Sequence, residues 1–270
     1  DLIVTNEGDS LNCKITKVES DYVYFTFKHK GEIRNTFLPM AQVKTYAYNH
    51  YNITEVPANR IVVHPPYTRF RVAINAGWSY RTAKISDDIP SDLRQYAEEL
   101  KSGYHYGIDF SYFVSEQLGV GFMYCKFRTT NEINNVRVTF ANGSSQVGKM
   151  RDDISISFFG PLASVRLLSA NKKNGFFMNL GIGYVGYKNE AVLINPYTIR
   201  SSTLGISWGI GYDIGLTEKM AIGLQLSLFT GTLTEYEISD GRQTQTVELE
   251  KDDYENLSRI EISVGIRFNK

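Results

Sequence analysis

The chain has 270 residues and a mass of 30.6 kDa, and its 29 basic side chains balance its 29 acidic ones. Zero net charge excludes the broadly basic surface with which nucleic-acid-binding domains neutralise phosphates. With a mean hydropathy of −0.26 and no apolar run near the roughly 18–20 residues that a spanning helix needs, the composition also excludes a helical membrane protein. The 18 Tyr and 15 Phe residues beside 22 Gly favour strands over helices.

Residues 1–51 have the pattern of a small β module. Residues 11–18 alternate apolar and polar side chains, and residues 22–27 form an aromatic-rich segment with strand periodicity. Four or five short strands with a turn signal every few residues are typical of a tiny barrel or roll. The chain begins at Asp1 without a charged leader. We therefore expect a mature product from which an export signal has been removed.

The order of these segments carries a resemblance. A turn at Gly8-Asp9, a strand with Lys14-Ile15 and Val18, and a last strand with Val43 and Tyr46 follow one another. This order resembles the SH3/Sm-like modules that precede barrels in secreted proteins of Bacteroidetes-type bacteria. The resemblance implies a periplasmic module. Residues 52–68 contain three prolines, and we interpret them as an extended linker.

From Phe70 onward the alternating segments become longer. Eight of them can be counted, at residues 70–81, 104–114, 119–130, 153–168, 176–184, 204–214, 220–228 and 260–268. One face of each segment is large and apolar, whereas the other is mostly Gly, Ser, Ala and Asn. A soluble β-sandwich or lipocalin has a wet face rich in Lys, Glu and Thr instead. Small residues suit the narrow interior of a small barrel, and the large apolar set suits lipid. The pattern predicts an all-β fold, an eight-stranded antiparallel transmembrane β-barrel over residues 69–270.

The connections between these segments alternate in length. Those after segments two, four and six are short, whereas those after the others are long, at residues 82–102, 131–151, 188–200 and 238–253. Outer-membrane barrels combine tight periplasmic turns with longer external loops. We therefore expect the module and the C-terminus in the periplasm and the four longer loops outside. A soluble up-and-down barrel is the alternative, and the loop alternation counts against it.

The last segment carries a second resemblance. Residues 69–270 resemble OmpA/OmpW-type eight-stranded outer-membrane barrels. The final segment, with Ser263, Gly265 and Phe268, resembles the terminal strand that the outer-membrane assembly machinery recognises. It departs from that pattern because Asn269 and Lys270 follow the aromatic residue. The resemblance implies an outer-membrane location, with lipid and lipopolysaccharide as neighbours.

Charged residues interrupt the small-residue face of several segments. The inward register contains three basic and three acidic residues, Arg71, Asp109, Asp213, Arg259, Glu261 and Arg267. Unpaired charges are costly in a closed lumen of low dielectric, so these side chains are expected to neutralise one another. An ion path is the alternative. We favour a structural plug of ion pairs, because eight strands enclose room for little besides side chains.

No catalytic, cofactor-binding or metal-binding constellation emerges from the sequence. His105 is the barrel histidine, and Ser79, Asp87 and Asp88 are candidates to lie near it. We interpret it as a surface histidine rather than as a catalytic one. The other histidines lack metal-ligand spacing. Cys13 and Cys125 are too few for a disulfide scaffold, although a bridge between them is conceivable.

Residues 90–100 in the first long loop predict a short amphipathic helix. Ser91 or Asp92 is suited to cap it, and Tyr96 and Leu100 lie on its apolar side. Such a helix either covers the barrel mouth or presents a face to a partner, and the sequence leaves both open.

The sequence thus predicts a non-catalytic structural or accessory subunit of a larger outer-membrane complex, of the nutrient-uptake or barrel-assembly type. Docking through the periplasmic module and the loops implies protein partners, and neither a cofactor nor nucleic acid is expected. Two alternatives stay open. One is an OmpW-like conduit for small hydrophobic molecules. The other is a lipid-modifying enzyme that depends on His105.

Overall fold

The computed structural model describes residues 1–29, 32–51, 67–85, 89–139, 143–169, 172–217 and 219–269. The chain divides into two compact units, Asp1–Pro66 and Tyr67–Lys270. Most of the segment that we interpret as a linker, residues 52–68, lies outside the described part. Its last residues, Tyr67 and Thr68, belong to the second unit. No helix in the described residues is long and apolar enough to cross a membrane.

The first unit is a five-stranded antiparallel sheet. Its strands are β1 (Leu2–Thr5), β2 (Ser10–Val18), β3 (Tyr22–His29), β4 (Glu32–Pro39) and β5 (Val43–Ala47). Their order is β4-β3-β2-β1-β5, so that β4 and β5 are the edge strands. The inward side chains of β1 to β3 form a small core of Ile3, Cys13, Ile15, Val23 and Phe25. This core is thin, as expected for a unit of about 50 residues.

The second unit contains most of the strands. They are β6 (Phe70–Arg81), β7 (Ser102–Phe113), β8 (Leu118–Thr139), β9 (Ser145–Leu168), β10 (Gly175–Leu193), β11 (Asn195–Gly215), β12 (Met220–Leu233), β13 (Glu235–Ser239), β14 (Thr244–Glu248), β15 (Glu255–Asn256) and β16 (Arg259–Asn269). One helix, α1 (Arg94–Glu99), lies between β6 and β7.

The pairings in this unit close into a barrel. Strands β6 to β12 pair antiparallel in chain order, and β16 pairs with both β12 and β6. Eight strands of the described chain form this ring. Every ring strand has a paired neighbour on both sides, with one interruption between β9 and β10 at Gly160 and Pro161. A closed ring is the arrangement that hydrocarbon demands of a sheet. The predicted all-β barrel is confirmed.

Side chains alternate between the two faces of the barrel wall, as the period of a strand requires. Outward positions are large, apolar and exposed, as Ile74, Phe122, Leu180 and Leu224 illustrate. The intervening inward positions are buried. A soluble barrel would bury its large apolar residues, whereas this barrel exposes them on its outer face and places polar residues inside.

Two of the four segments predicted as long loops are strands instead. Strands β8 and β9 run through most of residues 131–151, and β10 and β11 run through residues 188–200, where Ile194 makes the turn with φ 65°. The apolar alternation that defined the predicted segments stops where the outward residues become polar. The backbone pairing continues beyond that point, because solvent-exposed strands need no apolar outward face.

The interior at the end of the barrel that carries α1 also differs from the prediction of small residues. Large apolar side chains form a core there, with Cys125, Phe127, Ile154, Ile156, Phe158, Val185, Phe229, Leu233 and Leu257. Helix α1 adds Tyr96 and Leu100 to this core, so the helix covers the barrel interior. The predicted side-chain cap is wrong, since Leu93 occupies the N-cap position without a side-chain hydrogen bond.

Candidate functional site

The barrel interior holds an ionic network built on four strands. Arg71 Nη1 donates to Asp109 Oδ1 at 2.7 Å, and Arg71 Nε donates to Asp213 Oδ2 at 3.1 Å. Arg267 Nε donates to the second oxygen of Asp213, also at 3.1 Å. Asn75 completes the network by donating to Asp109 Oδ2. Two arginines and two aspartates therefore cancel one another, and each is at most 4 % exposed.

Glycine makes room for this network. A Cβ atom at Gly223 would collide with Asp213 Oδ1 and with the guanidinium of Arg267. The small residues of the inward face thus do more than fill space, because they allow large ionic side chains to lie flat against the wall.

A second network lies apart from the first. Arg259 Nε donates to Glu261 Oε1 at 2.7 Å, and the Cys125 thiol donates to Glu261 Oε2 at 3.3 Å. His105 Nε2 lies 3.7 Å from Glu261 Oε2, and its Nδ1 lies 2.8 Å from Ser79 Oγ. The interpretation of His105 as a surface residue is wrong. Its position in β7 points inward, and it is 3 % exposed. Asp87 and Asp88, its other candidate neighbours, lie outside the described residues.

Inward phenylalanines stack on the buried guanidinium groups. Arg71 lies 4.2 Å from the Phe177 ring centroid, and Arg259 lies 4.2 Å from that of Phe229. Such cation–π contacts gain strength when water is excluded. They offset part of the cost of burying these charges.

Arg166 is a further buried cation that the sequence analysis did not single out. It stacks on Phe113 at 3.6 Å and donates to the carbonyls of Glu116 and Thr68, each at 2.7 Å. The signal was available, because Arg166 shares the inward parity of Leu162 and Ser164 in β9. Its contacts tie the segment before β6 to the barrel end.

Little space remains between the two networks. A cavity of about 20 Å³ is lined by residues from both, including Asn75, His105, Asp109 and Glu261. A space of that size holds about one water molecule. Within the described residues, no group of His, Cys, Asp and Glu side chains could hold a metal ion. The six charged residues singled out from the sequence therefore lie in two separate networks, which fill the lumen with paired charge.

The strand predicted as the assembly signal is β16, which closes the ring. Phe268 points outward and pairs with Val72 and Met220 in the neighbouring strands. Ser263 points inward, and its hydroxyl lies 3.5 Å from the Gln225 carbonyl. Gly265 packs against the Ile74 carbonyl so closely that a Cβ atom would collide with it.

The first unit carries an exposed aromatic surface. Tyr22, Tyr24 and Phe37 share one face of β3 and β4, with ring centroids 5.2–6.4 Å apart. We call these three residues the module patch. Phe37 is 55 % exposed, and it lies on the edge strand β4. Exposed aromatic clusters of this kind are enriched at protein–protein contacts.

No protein-family model matches this chain, and no curated protein matches it in sequence. The second unit is similar to solved outer-membrane proteins. Neisserial surface protein A has 10 % sequence identity, covers 74 % of this chain and 97 % of its own, and gives a TM-score of 0.46. OprG from Pseudomonas aeruginosa has 12 % identity, with 76 % and 99 % coverage and a TM-score of 0.45. A major outer membrane protein from Thermus thermophilus has 10 % identity, with 75 % and 99 % coverage and a TM-score of 0.48.

Proposed function

We propose that this chain is an integral outer-membrane barrel that acts as a non-catalytic structural or accessory subunit of a larger outer-membrane complex. A nutrient-uptake or barrel-assembly complex is the kind of host that fits. In this proposal the first unit is an SH3-like periplasmic module, consistent with its strand order. The C-terminus lies on the same side. The connection with α1, the extended β8–β9 and β10–β11 hairpins and the connection between β12 and β16 face outward.

The outward wall supports the membrane location. Aliphatic and aromatic side chains at alternate positions of the ring strands are about half exposed in the isolated chain. Contiguous apolar surface of that extent is unusual on a soluble monomer, and lipid would cover it. The short connections, such as residues 114–117 between β7 and β8, gather at one end of the barrel. The other end carries the connection with α1 and the β8–β9 and β10–β11 hairpins, whose strands extend beyond the apolar band. This asymmetry supports placing the end with residues 114–117 in the periplasm.

The observation that carries the accessory role is the module patch. Its residues Tyr22 and Phe37 are exposed, and the outer side of the edge strand β4 has no partner among the described residues. A protein partner could cover the rings and pair with β4 at the same time. The lumen, in contrast, is filled by paired charges and an apolar core, which favours a role exerted through surfaces.

The test is a quantitative pull-down of the full chain in mild detergent. We expect an outer-membrane or periplasmic protein to co-purify with the native chain and to be lost from the variant Tyr22→Ser/Phe37→Ser. The control Tyr46→Ser/Tyr48→Ser removes two exposed aromatic residues on β5 and its following turn, and it should retain the partner. Recovery of the native chain alone, or equal loss in both variants, contradicts the proposal.

The two alternatives receive less support. A hydrophobic conduit needs a gap in the wall. The register between β9 and β10 is interrupted at Gly160 and Pro161, but a Cβ atom at Gly160 would collide with the Ile182 carbonyl, so the two backbones still lie in contact there. A lipid-modifying enzyme would use His105, and the contacts of its ring with Ser79 and Glu261 are compatible with nucleophilic chemistry. All three side chains lie inside the ring and are 0–3 % exposed, so a lipid would not reach them. An altered lipid profile in cells that carry His105→Ala would favour the enzyme.

A further inference from the structure

The outward wall of β8, β9 and β10 changes its chemistry abruptly toward the end with the longer connections. The last apolar row across these strands is Tyr124, Phe159 and Tyr184, which are direct partners in the register. The next row is Lys126, Ser157 and Gly186, and the one after it is Arg128, Ser155 and Lys188. All of these positions share the outward parity of the apolar row.

These two rows form one cationic surface. We call Lys126, Arg128, Ser155, Ser157 and Lys188 the phosphate wall. Neighbouring strands lie about 4.8 Å apart, so the cations of β8 and β10 flank the hydroxyls of β9 at about one strand spacing on either side. Three positive charges and two hydroxyl groups thus face outward together.

The acidic residues near the wall pair with two of its three cations and leave Lys126 unpaired among the described residues. Asp153 and Glu190 occupy the row beyond it, where Asp153 accepts a bidentate pair from Arg128 at 2.8 and 2.9 Å and Glu190 pairs with Lys188. These ion pairs hold Arg128 and Lys188 in place. The side chains of Arg128 and Lys188 nevertheless remain 47 % and 42 % exposed.

An apolar groove lies on the same strands, on the other side of the row of Tyr124, Phe159 and Tyr184 from the wall. It measures about 800 Å³, and its floor contains the small outward residues Pro161 and Ala163 between Phe122 and Ile182. Because a strand rises about 3.3 Å per residue, Ser157 and Ala163 lie about 20 Å apart, which is the order of length of one acyl chain.

We propose that the phosphate wall and this groove together bind one phosphorylated glycolipid, with the phosphates on the wall and an acyl chain in the groove. This inference rests on the proposed membrane location. Cations and hydroxyls one row beyond the apolar band are where a phosphorylated headgroup would lie, and each such cation strengthens binding about fivefold. A protein partner would need no acyl-sized groove below its contact.

The test uses the full chain in a non-ionic detergent, with bisphosphorylated lipid A as the probe. Native mass spectrometry reports the lipid retained on the folded barrel. We expect the native chain to retain lipid A and the variant Lys126→Gln/Arg128→Gln/Lys188→Gln to retain it at least tenfold more weakly. A matched control, Lys172→Gln/Lys173→Gln/Lys219→Gln, removes three cations from the opposite end of the barrel and should bind like the native chain.

Further arms separate the sources of the phosphate. Lipid A without its phosphates should bind as weakly to the native chain as lipid A binds to the wall variant. Millimolar inorganic phosphate should not displace the lipid, since a free anion lacks the groove contacts. Equal weakening by the control variant, equal retention of the dephosphorylated lipid, or displacement by phosphate would each overturn the inference. If the variants and the native chain all still insert into vesicles, such a result leaves the proposed membrane location intact.

Discussion

At the scale of single residues, Asp213 is the residue on which the ionic network depends. It is the one carboxylate that contacts both Arg71 and Arg267. Removing one partner of a buried ion pair leaves an uncompensated charge, which costs about 3–5 kcal/mol. We therefore expect Asp213→Asn to lower the free energy of unfolding in detergent micelles by about that amount, measured by denaturant titration.

A compensating variant tests the physical reason. Asp213→Asn/Arg267→Met removes one charge of each sign and leaves the Arg71–Asp109 pair in place, so it should recover at least half of the loss. Asp252→Asn, an exposed acid in a connection, should change the stability by less than about 0.5 kcal/mol. If all three variants unfold alike, the network does not stabilise the barrel.

Cys13 offers a prediction for the module. Burial raises the pKa of its thiol to about 11 from an ordinary value of 9.0, and the nearby N-terminal amine lowers the pKa only in part. Because the Cys13 pKa is higher in the folded module than in the unfolded chain, ionisation of the thiol favours unfolding. The protonated thiol therefore contributes its full stabilisation below about pH 9, and this contribution is lost as the pH rises toward about 11. Cys125 is likewise a buried free thiol, so neither cysteine forms the bridge that the sequence left conceivable.

Alkylation at Cys13 can be followed by peptide mass spectrometry over a pH series. The half-maximal rate should fall near pH 11 for the native chain and near pH 9 in concentrated urea, because the thiolate is the reacting form. A native half-maximum near pH 9 would show that the module core is open to solvent.

At the scale of elements, α1 is too short to be stable alone and depends on its docking. Tyr96 packs in the apolar core inside the barrel end that carries α1, and its hydroxyl donates to Asp152 Oδ2 at 2.7 Å. We expect Tyr96→Ala to abolish hydrogen-exchange protection over residues 94–100 while β6 and β16 stay protected. Tyr96→Phe should have an intermediate effect, since it loses only a hydrogen bond, worth about 1 kcal/mol. Gln95→Ala, on the exposed face, is the control; a loss of protection in that variant would contradict docking through Tyr96.

The barrel strands could be predicted from the sequence wherever lipid-type alternation marks them, as in β6 and β16. The extensions of β8 to β11 could not, because their outward residues become polar while backbone pairing continues. The inward charges could be placed by parity alone, as Arg71 and Glu261 show. Their division into two networks could not, because it depends on which strands become neighbours when β16 closes the ring against β6.

The apolar core at the barrel end that carries α1 could not be predicted from the sequence either. Phe127 and Phe158 have inward parity in the sequence, yet their size conflicts with the rule that small barrels hold small inward residues. The barrel accommodates them because glycine faces them from neighbouring strands; a Cβ atom at Gly103, for instance, would collide with the Phe127 ring. Pairs of this kind cannot be identified until the register is known.

At the scale of the whole molecule, two different seals lie in series along the lumen. The apolar core with Tyr96 and Phe127, and the Arg259–Glu261 network packed against its Phe229, close the end that carries α1. The arginine–aspartate network closes the other end, across a cavity of about 20 Å³. An ion crossing the barrel would have to pass both seals and lose its hydration water. Charges that are already paired offer it too little attraction to repay that desolvation cost. We expect no steady conductance from the native chain in planar bilayers.

Because the seals act in series, opening one should not be enough. Phe127→Ala/Tyr96→Ala should therefore remain silent in the same bilayers, provided that heat-dependent migration on gels shows it folded. Asp213→Asn/Arg267→Met should show no conductance either, since the apolar core with Tyr96 and Phe127 is intact in that variant. Conductance is expected only when both pairs of changes are combined in one chain with Arg259→Met/Glu261→Gln, which removes the second ionic network. Steady channels from the native chain or from either single-seal variant would show that the lumen is an ion path and would contradict the plug of ion pairs.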